Sequence, residues 1–284
     1  MKTNFHAPNF GAALRRTMGA RFRKYLYIYK ATLIENLQYV VNILMGFISF
    51  IVVILIFMNL WEYMYSGSGN IIGGYTKDQM IWYVILTEMI WFGTRNKVLT
   101  AQISSDIKSG TIAYGINKPY NYLIYIIARH YGDISIKMIL YVGFALIMGI
   151  GMVGVLPGVN LLQIILVIPI FFMAILVSSL IRIIISVLSF WIEDSGPFHW
   201  IYDKLILVLG TLFPVELFPI WLRPFIMFSP IFVVTYGPAK LVIEFSGHMY
   251  LRVITAQVIY ITILSLILGI LFKKGVKKLN VNGG

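Results

Sequence analysis

Few side chains in this sequence carry the groups that catalysis or metal ligation needs, and those few lie far apart. There is no cysteine, which excludes disulfides, thiolate metal sites and a cysteine nucleophile. The four histidines, His6, His130, His199 and His248, are widely separated and form no HExxH pair, so no metal centre is expected. No GxxxxGK[ST] stretch occurs: Gly110 and Gly115 lack the Lys-Ser/Thr that must follow, and the SGSGNIIGG of residues 66–74 is too poor in charge to cradle phosphate. What remains is charge set inside apolar sequence. Glu88 and Arg182 each interrupt a long apolar run, and such residues usually face a bundle interior or a water-filled path. Glu88 is expected either to line the intake side of a pathway or to pair with Arg182. The plainer alternative is a carboxylate reaching an interface, or one kept neutral by hydrogen bonding. His199 and Asp203, four residues apart on an expected helix, read as a structural pair rather than a proton relay. No catalytic residue is expected.

The elements that hold these groups follow from composition. Of 284 residues 59% are hydrophobic and only 12% charged, about half the charged share of a soluble domain. The mean hydropathy is +0.84. Several apolar runs approach or exceed the ~20 residues that cross a hydrocarbon core as a helix. The sequence therefore reads as an all-α integral membrane protein with one membrane domain and no room for a soluble enzyme. The net charge of +12 does not imply nucleic acid, because Lys and Arg collect on the cytoplasmic side of membrane proteins.

Residues 1–39 form a basic cytoplasmic N-terminus in which Phe22, Leu26, Tyr29, Leu33 and Leu37 recur at helical spacing. That pattern predicts an amphipathic helix on the inner leaflet, in contact with anionic membrane lipids; a simple cytosolic extension of the first span is the alternative. Six spans are expected in residues 40–272, at about 40–60, 75–93, 138–156, 161–185, 198–213 and 253–272, followed by a basic cytoplasmic tail, 273–284. Gly143, Gly149, Gly151 and Gly154 are expected to let the third span approach its neighbours closely. Pro157 begins a turn. The fourth run is long enough, at 1.5 Å per residue, to leave the membrane, and it places Arg182 about 32 Å along, near the inner interface. Pro214, Pro219, Pro224, Pro230 and Pro238 then recur too often for an unbroken helix. Non-helical backbone at membrane depth must be buried in protein or line a wet cavity. Short re-entrant helices dipping into the outer leaflet are expected there, between spans 5 and 6.

Charge checks the topology. With both termini cytoplasmic, 19 of the 23 Lys and Arg fall inside, and only Lys77, Arg223, Lys240 and Arg252 fall outside. The largest internal polar segment is residues 94–137, with Arg95, Lys97, Lys108, Lys118, Arg129 and Lys137 against Asp106 and Asp133. Leu99, Ile103 and Ile107 share one helical face within it. Lys108 in the last turn and Gly110 just past it suit a helix end. After the break at Lys118-Pro119, residues 122–130 are amphipathic again. An exposed apolar ridge of this kind suits a groove on another protein, or equally a bed of lipid headgroups; periodicity does not separate the two.

The DIKSGTIAYGINKPY of residues 106–120 resembles the cytoplasmic coupling segment of ABC exporter permeases of the type-2 superfamily. The GTLFPVELFPIWLRPFIMFSP of residues 210–230 resembles that superfamily's segment between the fifth and sixth spans. Phe190-Trp191 before an acidic pair, and the C-terminal VNGG, point to its viologen- and daunorubicin-exporter-like branch. The resemblance implies a permease, in a bacterial cytoplasmic membrane, that has no ATPase motif or cofactor of its own. ATP and Mg would sit on a separate ABC ATPase subunit present in two copies, beside a second copy of the permease or a paralogous one. The cytoplasmic coupling helix would carry Leu99, Ile103, Asp106, Ile107, Lys108 and Gly110 into a cleft on the ATPase. An outer re-entrant gate would include Pro214, Glu216, Pro219, Trp221 and Pro224. The cargo would be a hydrophobic or amphiphilic drug, lipid, peptide or glycoconjugate. A secondary transporter driven by an ion gradient is the main alternative, but it favours paired broken helices in both halves, and only the second half is broken. An intramembrane enzyme needs converging catalytic groups that the sequence does not assemble.

Overall fold

A computed structural model describes residues 10–38, 40–95, 98–156 and 159–282. Lys2 and Lys97 of the charge count, the turn at Pro157 and the final Gly283-Gly284 lie outside them. The chain is almost wholly helical. In order come α1 (Phe10–Leu37), α2 (Val40–Ser68), a hairpin of β1 (Ile71–Ile72) and β2 (Tyr75–Thr76), α3 (Lys77–Thr94), α4 (Ile103–Lys108), α5 (Ile112–Ile116), α6 (Tyr122–Met152), α7 (Leu161–Val187), α8 (Gly196–Ile206), α9 (Arg223–Met227), α10 (Gly237–Ile243) and α11 (Gly247–Asn282). One-turn π-helical pieces lie at Val98–Gln102, Leu207–Thr211 and Phe232–Tyr236.

Four helical stretches, Ile43–Gly67, Tyr122–Met152, Leu161–Phe190 and Gly247–Leu279, are long and apolar enough to cross a membrane. They overlap the first, third, fourth and sixth expected spans. The second corresponds to α3, which has 18 residues and buries 12 of them, including Glu88. A helix sheathed this far by protein has little lipid to face, so its polar residues carry no lipid-exposure cost. Thr76 starts it through a capping box with Gln79. The fifth corresponds to α8 plus the π turn after it, which ends before Pro214. The glycine-rich turn is a hairpin whose Gly73 and Gly74 take φ of 60° and 90°, as a two-residue hairpin turn demands.

One boundary differs from the sequence reading. Residues 122–130 are not separate from the third span: α6 runs unbroken for 31 residues, about 46 Å, capped by Asn121. Its polar residues are tolerated because they are paired, as in the 3.0 Å Lys137–Asp133 bridge. Lys273, Lys274, Lys277 and Lys278 of the basic tail lie on the helical continuation of α11. Of the third-span glycines, only Gly149 meets a neighbour, the Trp82 ring; Gly143 and Gly151 face open space, and Gly154 takes a φ of 96°. The close approaches lie elsewhere too: a Cβ on Gly132 would meet Tyr29 O at 2.6 Å, and one on Gly210 would meet Thr235 Oγ1.

The expected apolar row of α1 is split. Phe22, Leu26 and Leu37 are exposed together with Tyr27 and Ile34, as suits a membrane surface. Tyr29 and Leu33 instead face α6, where Tyr29 Oη meets Ser135 Oγ at 3.1 Å. Two apolar cores result. The larger gathers α2, α3, α6, α7 and residues 206–253. The smaller lies at the other end of α3, where Leu99, Ile103, Ile107, Ile112, Tyr122 and Ile126 pack on Leu180, Ile183, Val187, Phe190 and Leu268.

Candidate coupling site

The segment from Val98 to Ile116 is built as a π turn, then α4, then α5, with Gly110 at φ 75° between the two helices. Its apolar side is not exposed. Leu99 and Ile103 are 0% exposed and Ile107 is 5%, all sealed in the smaller core. In the isolated chain these three therefore make an internal contact and not an exposed ridge. Four-residue spacing does put them on one face, but that face is covered by α7 and α11 of the same chain. Burial of each is worth about 1.5–3 kcal/mol, so the segment is held as part of the body. The outward side is small and polar: Ala101, Ser105, Lys108, Ser109, Thr111 and Ala113 are exposed, with Tyr114 at 77% as its most prominent ring.

Polar contacts fix the segment from several sides. Ser186 Oγ of α7 donates to Leu99 O. Ser104 and Ser195 hydroxyls meet at 2.6 Å, and Arg129 donates to Gln102 Oε1 at 3.0 Å. Asp106 is half-buried and accepts from Tyr122 Oη at 2.9 Å. Lys108 Nζ lies 3.5 Å from Asp194. The Gly196 N–H, and after it the Lys108 ammonium, hold the Asp194 carboxyl below the usual carboxylate range. Asp106 and Lys108 thus each have a partner within the chain. The loop after α5 is tied to α1, with Lys24 donating to Pro119 O at 2.6 Å and Asn121 N–H to Tyr25 Oη at 2.9 Å.

From this segment a polar ladder runs into the body between α7 and α8. Ser186 Oγ sits 2.9 Å from His199 Nε2. One turn further in, Arg182 pairs with Asp203 at 2.7 Å and lies over the Tyr202 ring, whose hydroxyl reaches Ser178 Oγ at 3.5 Å. Arg182 therefore does not pair with Glu88. His199 and Asp203 make no direct bond with each other; each takes a partner on α7. Glu88 is 2% exposed, and its Oε1 has no hydrogen-bond partner among the described residues. Beside it Thr87 Oγ1 donates to Thr211 O at 3.1 Å, which ties α3 to the π turn after α8.

At the opposite end of α3 lies the proline-broken segment. Pro214 precedes a 3₁₀ turn (Val215–Leu217), and Pro224 sits in the first turn of α9. Glu216 accepts from Tyr236 Oη at 2.5 Å and lies 3.6 Å from Lys240 Nζ, which also sits over the Tyr75 ring. Arg223 closes the turn at Pro219 by donating to Phe218 O and Glu216 O, both at 2.8 Å. Trp221 is 69% exposed, beside exposed Ile220, Phe225 and Phe228. Lys77 lies 3.7 Å from Glu62 at this same end, so the four cations expected outside are gathered opposite residues 98–116.

A family profile described as "ABC-2 family transporter protein" matches residues 43–283, most of the chain. The chain belongs to the ABC-2 transporter family. It is thus a multi-pass membrane permease subunit of the kind that works with an ABC ATPase. A comparison with curated proteins found no match. Among the described residues no group of three or more His, Asp or Glu is placed to hold a metal. Sequence reasoning missed the residues that wire this ABC-2 permease together, Ser186, Ser104, Ser195 and Tyr122, and the outward Tyr114. One signal was present for the ladder. Ser178, Arg182 and Ser186 recur every four residues in an otherwise apolar helix, and polar side chains in such helices hydrogen-bond across to a neighbour.

Proposed function

We propose that this chain is the permease half of an ATP-driven exporter, moving a hydrophobic or amphiphilic substrate out of the cytoplasm or inner leaflet. A separate ATPase, in two copies and carrying ATP and Mg, docks on residues 101–114; a second permease, identical or paralogous, completes the pathway. Both termini and the docking segment face the cytoplasm of a bacterial cell, and anionic lipids flank α1. The proline-broken segment forms short re-entrant helices that cap the outer side through Pro214, Glu216, Pro219, Trp221 and Pro224. Glu88 and Arg182 line or brace the pathway between the two ends.

The observation that carries this reading is the two-sidedness of residues 98–116. Their apolar side is locked into α7 and α11, while their outward side is short, polar and tipped by Tyr114. A rigid handle of this form passes a push from a bound ATPase to α7 and, through Ser186–His199 and Arg182–Asp203, to α8. Closure of the ATPase dimer on ATP would move both handles, and hydrolysis would return them. The test is co-purification with the ABC ATPase and measurement of substrate-stimulated hydrolysis. Ser105→Arg with Tyr114→Ala is expected to abolish co-purification while leaving the permease as stable as wild type. Normal assembly and stimulation in that variant would reject the docking surface.

A further inference from the structure

Near the elbow between α1 and α2 an open cleft of about 290 Å³ is lined by Asn36, Ile43, Phe92, Arg95, Lys137 and Tyr141. Its walls come from four helices. Asn36 is one residue from the end of α1, Ile43 lies in the first turn of α2, and Arg95 follows the last residue of α3. Three of the four helices end at the cleft, on the same side as residues 98–116, while Lys137 and Tyr141 come from the middle of α6. Its walls divide by chemistry: cations and an amide on one part, Ile43 and the aromatic rings on the other.

The charge inside is unbalanced. Lys137 is bridged to Asp133 at 3.0 Å, which uses one of its three donors. Arg95 has no carboxylate within ion-pair distance among the described residues. Instead its guanidinium lies 5.3 Å from the centre of the Trp91 ring, a contact that leaves its fork of donors for a ligand. With Asp133 counted against Lys137, the cleft keeps one positive charge. A volume near the low end for ligand pockets suits a headgroup rather than a whole drug-sized molecule. Basic pockets between membrane helices at this level suit anionic headgroups, and Arg is the side chain best matched to phosphate.

We infer that this cleft binds a phosphate group of net negative charge, not balanced by a cation of its own, held by Arg95 and Lys137, with Ile43, Phe92 and Tyr141 accepting the apolar part of the molecule that carries it. The group can come from an anionic lipid or from soluble phosphate. The site stands independently of the ATPase-docking surface, because none of its residues belongs to residues 98–116.

The test uses the full chain purified in neutral detergent, with bound molecules counted by native mass spectrometry. Titrations use phosphatidylglycerol, phosphatidylcholine or inorganic phosphate. Phosphatidylglycerol is expected to bind and phosphatidylcholine to bind more weakly. Arg95→Gln should raise the half-saturating concentration about fivefold, near 1 kcal/mol for one basic group, while Arg95→Lys stays within about twofold. Asp133→Asn should tighten binding by freeing Lys137, a gain that a misfolded chain cannot give. Displacement by millimolar inorganic phosphate would support the site and assign it to the soluble ion; retention of lipid under the same phosphate assigns it to lipid. Equal binding of the two lipids would overturn the inference. So would wild-type binding in Arg95→Gln together with no gain in Asp133→Asn.

Discussion

Replacing Ile103 by alanine separates an internal anchor from a partner-facing ridge. Ile103 is fully buried in the smaller core, on the face that α7 and α11 cover. The substitution removes three carbons, about 2.4 kcal/mol at ~0.8 kcal/mol per buried methylene-sized group. A residual cavity adds to this, within the 2–5 kcal/mol common for such truncations. About 3 kcal/mol is expected, read as an apparent thermal midpoint lowered by about 5 °C or more in detergent. Binding of the ATPase, measured at a temperature where the variant is folded, should stay within about threefold of wild type, because no atom of Ile103 reaches the outward surface. Stimulated ATP turnover should fall further than binding, since the handle is loosened from α7. A variant with an unchanged midpoint and lost ATPase binding would refute the reasoning and restore the ridge as a contact with the partner.

Further perturbations probe the body that the handle is fixed to. Arg182→Met strands Asp203 in a largely buried site and should cost about 3–5 kcal/mol, whereas adding Asp203→Leu should recover at least half of it; an additive loss in thermal midpoint would exclude the pair. Gly132→Ala should push α1 off α6, at a cost of about 1–3 kcal/mol, and speed proteolysis after Arg23, Lys24 and Lys30. Gly143→Ala, where a Cβ meets nothing within 4 Å, should be neutral or stabilising, and equal effects of the two would contradict the packing described. For Asp194 the folded carboxyl titrates below its unfolded value of about 3.9, so its contribution is fully present above that pH and is lost as pH falls through the lowered value. The difference in midpoint between wild type and Asp194→Asn should accordingly be flat from pH 5 to 8 and vanish in acid; a difference that titrates near pH 6 would count against this assignment.

Much of the architecture was legible in the sequence because lipid imposes simple rules. The apolar run from Leu161, capped by Asn160 and Gln163, could only be a long helix. The proline spacing after Pro214 forbade one. What misled was the use of polarity to mark helix ends. Arg129, Asp133 and Lys137 suggested that α6 begins after them, yet paired and protein-facing charges sit comfortably inside a helix. The second span was legible and is α3; what its sequence did not show is that its modest apolarity reflects protein neighbours rather than lipid.

The candidate site was half legible for a related reason. The spacing of Leu99, Ile103 and Ile107 identifies a shared face, and Gly110 marks a helix end, but neither says which body covers the face. That depends on α7 and α11, far away in sequence. The Arg182 partner was hidden in the same way. Glu88 and Asp203 were both available by charge, and only the antiparallel setting of α7 and α8 selects Asp203.

The most direct measurement of the central claim is photocrosslinking from position 114. A benzophenone side chain replacing Tyr114 is expected to capture the ABC ATPase subunit, identified by its nucleotide-binding sequence, with a yield that changes on adding ATP. The same probe at Trp221, on the proline-broken segment at the opposite end, should capture none of it. Capture of the ATPase from position 221, with none from position 114, would contradict the account.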